Sequence, residues 1–154
     1  MNIENIQKIV DMLKADDGSH FLMSEWVQWL PHVKEARIET VVTEYVECGT
    51  ACCIAGWANM IRLGDKAKEL RDHDFRSEVQ DRYEAREWLG IDDDVATELF
   101  QPGAWRTLNY QYEMDAIDRL PANQRRLAGI AVLENLIQTG EADWPKAIEF
   151  AKTQ

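Results

Sequence analysis

Apolar residues recur at helical spacing along most of the chain. From 2 to 14 they fall on one face, and Asn2 is a suitable N-cap for that helix. The same spacing predicts helices over 74–89, 92–100, 114–120 and 121–138, with a last one begun by Asp143 and Pro145. A short helix is predicted within 21–30. The segment 37–46 has helical spacing but a β-branched content that favours a strand, so both interpretations stay open there, with helix preferred.

The stretch 48–61, CGTACCIAGWANMI, differs because it is apolar on nearly every side. A helix without a polar face is normally buried. Thr50 is predicted to cap it, and Gly56 would let a neighbouring element pack closely. We therefore predict an all-α protein, with residues 1–154 forming a single compact domain of seven or eight helices. These would surround a buried central helix at about 51–63.

The large aromatic residues are predicted to divide between core and boundary. Trp57 lies in the apolar segment and is expected in the core, and Tyr83 and Trp88 are expected on the inner side of the 74–89 helix. Trp105 and Trp144 each stand beside a helix boundary. Because Trp combines an apolar ring with a polar N–H, these two are expected to be more open and able to stack on a ligand.

The charge balance restricts the classes of partner. The 154 residues carry 28 acidic and 17 basic side chains, a net charge of −11. Binding directly to nucleic acid or to an anionic membrane needs a basic surface, so neither is expected. The charge permits a protein partner with a basic surface, while simple solubility is the commoner reason for an acidic composition. No apolar run approaches a membrane span and the N-terminus lacks a signal-peptide pattern, so a cytoplasmic location is expected.

Three cysteines fall within six positions, at Cys48, Cys52 and Cys53. Adjacent cysteines do not form a paired disulfide framework, so reduced thiols are expected. Cys52, near the predicted helix start, is the weak candidate for a catalytic nucleophile, with a histidine as base (His20, His32 or His73). Simple packing is favoured over catalysis. The spacing lacks the second ligand pair of a zinc site, so no metal and no cofactor are predicted.

Acidic residues are concentrated between 65 and 98, a stretch that contains twelve acidic and six basic residues. The run 92–94 lacks the glycine and the distal glutamate of a calcium loop, so it is interpreted as a solvated helix start. If the protein binds a basic partner, we predict that this stretch contributes much of the contact. The predicted binding residues are Glu84, Glu87, Asp92, Asp93 and Asp94, together with Trp105 and Trp144.

The motif Cys48-Gly49-Thr50, followed by Cys-Ile-Ala-Gly-Trp-Ala from Cys53 to Ala58, resembles the core of an uncharacterised family of small phage and bacterial proteins. Weaker similarities follow in the same order at 88–91, 99–102 and 139–144. The structural motif residues are Cys48, Gly49, Thr50, Cys53, Gly56 and Trp57. The resemblance implies a phage or mobile-element context and no particular reaction.

Three hypotheses of function follow. The preferred one is a non-enzymatic acidic binding protein, a phage accessory factor that inhibits or modulates a host nucleic-acid-binding protein complex. Acidic side chains can stand in for the phosphates that such a complex binds. The alternatives are a cysteine-dependent enzyme that uses Cys52, and a small structural protein that self-associates as a homo-oligomer.

Overall fold

The computed structural model describes residues 1–21, 23, 28–29, 50–51, 53–66, 82–101 and 117–154. Helices dominate this part of the chain, so the all-α class is confirmed for it. In order, the elements are α1 (Ile3–Ala15), β1 (Gln28–Trp29), β2 (Thr50–Ala51), α2 (Ile54–Leu63), α3 (Arg82–Leu89), α4 (Asp93–Phe100), α5 (Ala122–Thr139) and α6 (Trp144–Lys152).

Helix α1 forms as the apolar spacing predicts. The Asn2 side chain accepts a hydrogen bond from the Asn5 N–H, and the helix ends where the Asp16 N–H bonds to the Met12 carbonyl. Its buried side packs against α5 and also contacts α2 and α3. Ile3, at the first position of the helix, remains exposed. The chain leaves the helix over 16–19.

Helix α2 is buried as predicted, but its predicted start is wrong. Seven consecutive residues from Ile54 to Met60 are buried. The helix begins at Ile54 rather than 51, and the N-cap is Cys53 rather than Thr50. The reason is that Thr50 and Ala51 pair with Trp29 and Gln28 in a short antiparallel ladder, which requires extended backbone.

The same pairing changes the prediction for 21–30. Gln28 and Trp29 form strand β1, so the short helix predicted to reach that far is wrong at these two residues. A pairing partner more than twenty residues away supplies backbone hydrogen bonds that local sequence does not reveal.

Helices α3 and α4 are joined by a tight turn at Gly90, whose positive φ of 61° suits glycine. Ala85 and Leu89 form the buried side of α3. Tyr83, predicted on that side, is 57% exposed. Two residues along a helix correspond to a rotation of about 200°, so Tyr83 and Ala85 point in nearly opposite directions.

Helices α5 and α6 pack against each other near the end of the chain. Pro121, predicted as the first residue of this helix, is its N-cap instead, and Gly140 follows the helix with a left-handed backbone. Leu127 and Ile137 are only partly buried, because the buried side of α5 is centred on Ala128, Val132 and Leu136. The Asp143 side chain caps α6 by accepting from the Lys146 N–H at 3.0 Å.

Trp144 is buried, which corrects the prediction that it is open. Its side chain is 1% exposed, and its Nε1–H donates to the Leu99 carbonyl at 3.2 Å. That carbonyl belongs to the last turn of α4, where it has no partner within the helix. The indole therefore ties α6 to the end of α4 and is not accessible for stacking on a ligand.

Several predictions concern residues outside the described part of the chain. These are the helix-or-strand choice for 37–46, the first half of the 74–89 helix, and the positions of Cys48, Gly49, Cys52, Trp105, His32 and His73. None of the helices in the described part is both long and apolar enough to cross a membrane.

Candidate binding site

A cavity of about 730 Å³ lies between α4 and the turn that joins α5 to α6. We call it the acidic cleft, because four of its lining residues carry carboxylates. Asp94 and Glu98 come from α4, and Glu141 and Asp143 come from the turn. Val95, Ala142 and Pro145 supply apolar wall between the charges.

The local structure explains how these residues meet. Asp94 and Glu98 are four positions apart and therefore share one face of α4. The turn is held by α5, since the Asn135 side chain donates to the Glu141 carbonyl at 2.8 Å and the Thr139 hydroxyl accepts from the Glu141 N–H at 3.2 Å. The Glu141 backbone is thereby fixed, while its exposed carboxylate makes no hydrogen bond to another residue of the described chain.

The carboxylates of the acidic cleft are not neutralised by basic side chains of the described residues. The nearest lysine along the chain, Lys146, donates instead to the Asn135 side-chain oxygen at 3.2 Å. Asp143 uses one oxygen to cap α6, which is a bond to a backbone N–H and leaves its charge in place. The cleft therefore carries concentrated negative charge and favours a cationic ligand.

The other predicted acidic binding residues have structural partners. Glu84 pairs with Arg62 at 3.3 Å, and Glu87 pairs with Arg86 at 2.7 Å. Arg86 also pairs with Asp93, and the hydrogen bonds that its guanidinium donates to Asp93 and Glu87 raise the pKa of Arg86. The side chain of Asp92 caps α4 by accepting from the Val95 N–H at 2.8 Å.

Of the predicted site residues within the described part of the chain, only Asp94 lines the acidic cleft. Glu98 was included in the acidic stretch without being singled out, and Glu141 was missed because it lies beyond that stretch. The spacing of Asp94 and Glu98 on one helix face is a signal that sequence analysis could have used. Nothing local brings Glu141 to α4, because that meeting depends on the docking of α6.

Arg86 also covers an exposed ring. Its guanidinium carbon lies 4.6 Å from the centroid of Tyr83. On the outward side of α3, these two side chains therefore contact each other, and we do not assign a ligand site there.

Cys53 has the chemistry of a packed thiol. It is a free, buried cysteine, and its sulfur accepts from the Gly56 N–H at 3.5 Å. Burial raises the pKa of the Cys53 thiol to about 11. At neutral pH the thiol is therefore protonated and is a poor nucleophile. Cys52, the residue named in the enzymatic alternative, precedes the cap and lies outside the described residues.

We expect the raised pKa of Cys53 to make the protein less stable in alkali. Between the ordinary value of 9.0 and about 11, the unfolded chain loses the thiol proton while the folded protein keeps it. The free energy of unfolding then falls as the pH rises, by about 1.4 kcal/mol per pH unit at most. The stability is fully present below the unfolded pKa and is lost as the pH passes through the folded pKa.

Urea unfolding of wild type and Cys53→Ser across that pH range measures this effect. Serine keeps a side-chain acceptor for the helix cap and has no titrating thiol. The wild type should lose more stability than the variant over the same interval, because the other titrating groups are common to both. Parallel curves would contradict the burial of this thiol.

One group of side chains could in principle hold a metal ion in the described part of the chain. Ligand atoms of Asp16, Asp17 and His20 lie within 4.8 Å of one another. Their polar atoms form hydrogen bonds within the loop that follows α1. Asp16 accepts from the Gly18 N–H and contacts His20 Nδ1, each at 2.8 Å. Asp17 accepts from the Ser19 N–H, and the hydrogen bonds from Ser19 lower its pKa. We interpret the group as a structural turn.

Comparison of the chain with protein-family models, with curated proteins and with solved structures finds no match.

Proposed function

We propose that this protein is a non-enzymatic acidic binding protein that engages a basic surface of a protein partner through the acidic cleft. The observation that carries the proposal is the difference between two sets of acids. Glu84, Glu87 and Asp93 are in ion pairs within the protein, whereas the carboxylates of the cleft face a cavity without a basic neighbour among the described residues. Unpaired like charges repel one another, and a cationic ligand would relieve that repulsion.

The sharper form of the proposal is an accessory factor of phage or mobile-element origin, located in the cytoplasm. It would inhibit or modulate a host protein complex that binds nucleic acid. The net charge of −11 supports attraction to a basic surface, and carboxylates can take the positions of phosphates there. The phage context rests on the CGTxxCIAGWA resemblance. We extend the proposal to an architecture of seven or eight helices around α2, supported by the packing of α2 against α1, α3 and α4.

The test compares two pairs of charge-removing substitutions. Glu98→Gln with Glu141→Gln removes two charges from the acidic cleft and preserves the shape of the side chains. Asp11→Asn with Glu149→Gln removes two exposed charges elsewhere. Asp11 accepts from the Gln7 side chain, a bond that asparagine can keep. Both variants have the same net charge, so a difference between them reports the location of the contact.

With a partner captured from a host lysate, association rates are measured for both variants at low and high salt. The cleft variant should associate about three- to tenfold more slowly than wild type at low salt, since outlying charges act mainly on encounter. The control variant should stay close to wild type. Salt should reduce the wild-type rate towards that of the cleft variant. Equal rates for the two variants would place the contact outside the cleft.

This pair of variants is preferable to reversing the charges of Asp92, Asp93 and Asp94. Asp92 caps α4, and Asp93 pairs with Arg86. Lysine at those positions would remove a cap and place positive charge at the positive end of a helix. A slower association could then arise from damage to α4, so the reversal would not isolate the binding contact.

A further inference from the structure

A second cavity meets the acidic cleft at the first turn of α6. It has a volume of about 210 Å³ and runs between α5 and α6. Its lining includes Ala131, Asn135, Gln138, Ala147 and Phe150, and we call it the α5–α6 groove. Asp143 lines both cavities, so they adjoin at this residue.

The α5–α6 groove differs from the acidic cleft in its chemistry. Its two alanines and Phe150 give it an apolar surface, and Phe150 is 49% exposed. Apart from Asp143, its charged members have side-chain partners within the protein: Glu134 pairs with Lys14 at 2.8 Å, and Lys146 donates to Asn135 at 3.2 Å. Unpaired negative charge is thus concentrated at one end of the combined surface, and an exposed aromatic ring lies at the other.

We propose that the partner of this protein docks through a segment that places an arginine in the acidic cleft and an apolar side chain against Phe150. The proposal rests on the function proposed above and specifies the partner. Charge complementarity selects a cation for the cleft. Arginine suits it better than lysine, because a planar guanidinium with five donors can bond to more than one carboxylate.

The spacing of the two contacts follows from α6. Asp143 and Phe150 are seven residues apart, which corresponds to about 10 Å along a helix axis. A chain in the polyproline II conformation covers that distance in about three residues, at roughly 3.1 Å each, and its three residues per turn place the first and fourth side chains on the same side. The matching segment is therefore Arg-x-x-Leu in a polyproline II conformation, with the arginine at the end nearer to Asp143.

The probe is a synthetic peptide, Gly-Ser-Arg-Ser-Ser-Leu-Ser-Gly, with acetylated and amidated ends. Its binding to the full-length protein is followed by NMR chemical-shift titration. Three control peptides replace arginine by citrulline, replace leucine by alanine, or delete one serine between them. Citrulline keeps the shape of arginine without its charge. We expect each control peptide to bind about fivefold more weakly, the effect of roughly 1 kcal/mol.

The protein variants test the two contacts separately. Phe150→Ala should weaken binding of the parent peptide about fivefold. It should leave binding of the alanine control peptide unchanged, because that peptide lacks the leucine that contacts Phe150. The double variant Glu98→Gln with Glu141→Gln should weaken binding of the parent peptide and leave binding of the citrulline peptide unchanged. Glu149→Gln, an exposed position beside Phe150 that lines neither cavity, should bind like wild type.

The outcomes distinguish this inference from the proposed function. If the cleft variant weakens binding and Phe150→Ala does not, the two-contact segment is wrong while the acidic cleft keeps its role. The proposal of an Arg-x-x-Leu segment is also wrong if the parent peptide does not bind, or if all four peptides bind equally. The proposed function fails separately, when the cleft variant and the control variant associate equally fast with the captured partner.

Discussion

Trp57→Ala is expected to lower the free energy of unfolding by about 3–5 kcal/mol, the usual cost of truncating a large buried aromatic residue. Trp57 is 1% exposed and lies in the middle of α2, where seven consecutive residues are buried. The cavity would form between α2 and the helices that pack on it. A loss of this size is a large fraction of the stability of a typical domain.

Trp88→Ala provides a matched control, because it makes the same chemical change on α3. Trp88 is only partly buried, and the hydrogen bond it receives from Asn5 goes to its backbone carbonyl, which the substitution keeps. Urea unfolding should show a loss for Trp88→Ala of about half that for Trp57→Ala or less. Similar losses for the two variants would contradict the position of α2 as a buried helix.

The parts of the fold that sequence predicted well are those decided by neighbouring residues. The N-caps of α1, α4 and α6 are Asn2, Asp92 and Asp143, and each bonds to a backbone N–H three residues ahead. Such bonds depend only on local spacing. The start of α2 was misplaced because Thr50 has the chemistry of a cap, whereas its backbone is committed to a strand pairing with Trp29.

The acidic cleft shows the same division between local and long-range information. The run of acidic residues at 92–94 identified Asp94. The sequence could not show that Asp93 forms an ion pair with Arg86 or that Glu84 forms one with Arg62. Glu141 joins Asp94 only because α6 docks against α4. Part of that docking is the bond from Trp144 to the Leu99 carbonyl, between residues 45 positions apart.

Gly18→Ala is the second substitution with a large expected effect, a loss of about 2–5 kcal/mol. Gly18 has φ of +93°, and an added Cβ would lie against the Ala122 carbonyl, well inside contact distance. The left-handed backbone alone costs an alanine about 1–2 kcal/mol, and overpacking adds roughly 1–3 kcal/mol. The loop has little freedom to move away, because the Gly18 carbonyl accepts from the buried Arg125 at 3.0 Å and its N–H bonds to Asp16.

Gly140→Ala separates the two causes of that loss. Gly140 has φ of +82° but no atom within 4 Å of an added Cβ, so alanine there meets only the backbone strain. Its expected loss is about 1 kcal/mol, because the less flexible unfolded chain offsets part of the strain. Urea unfolding of both variants under the same conditions gives the difference between them. A clearly larger loss at Gly18 would show that the loop after α1 is pressed against the first turn of α5. Equal losses would mean that this close contact does not form and that Arg125 holds the loop at a greater distance.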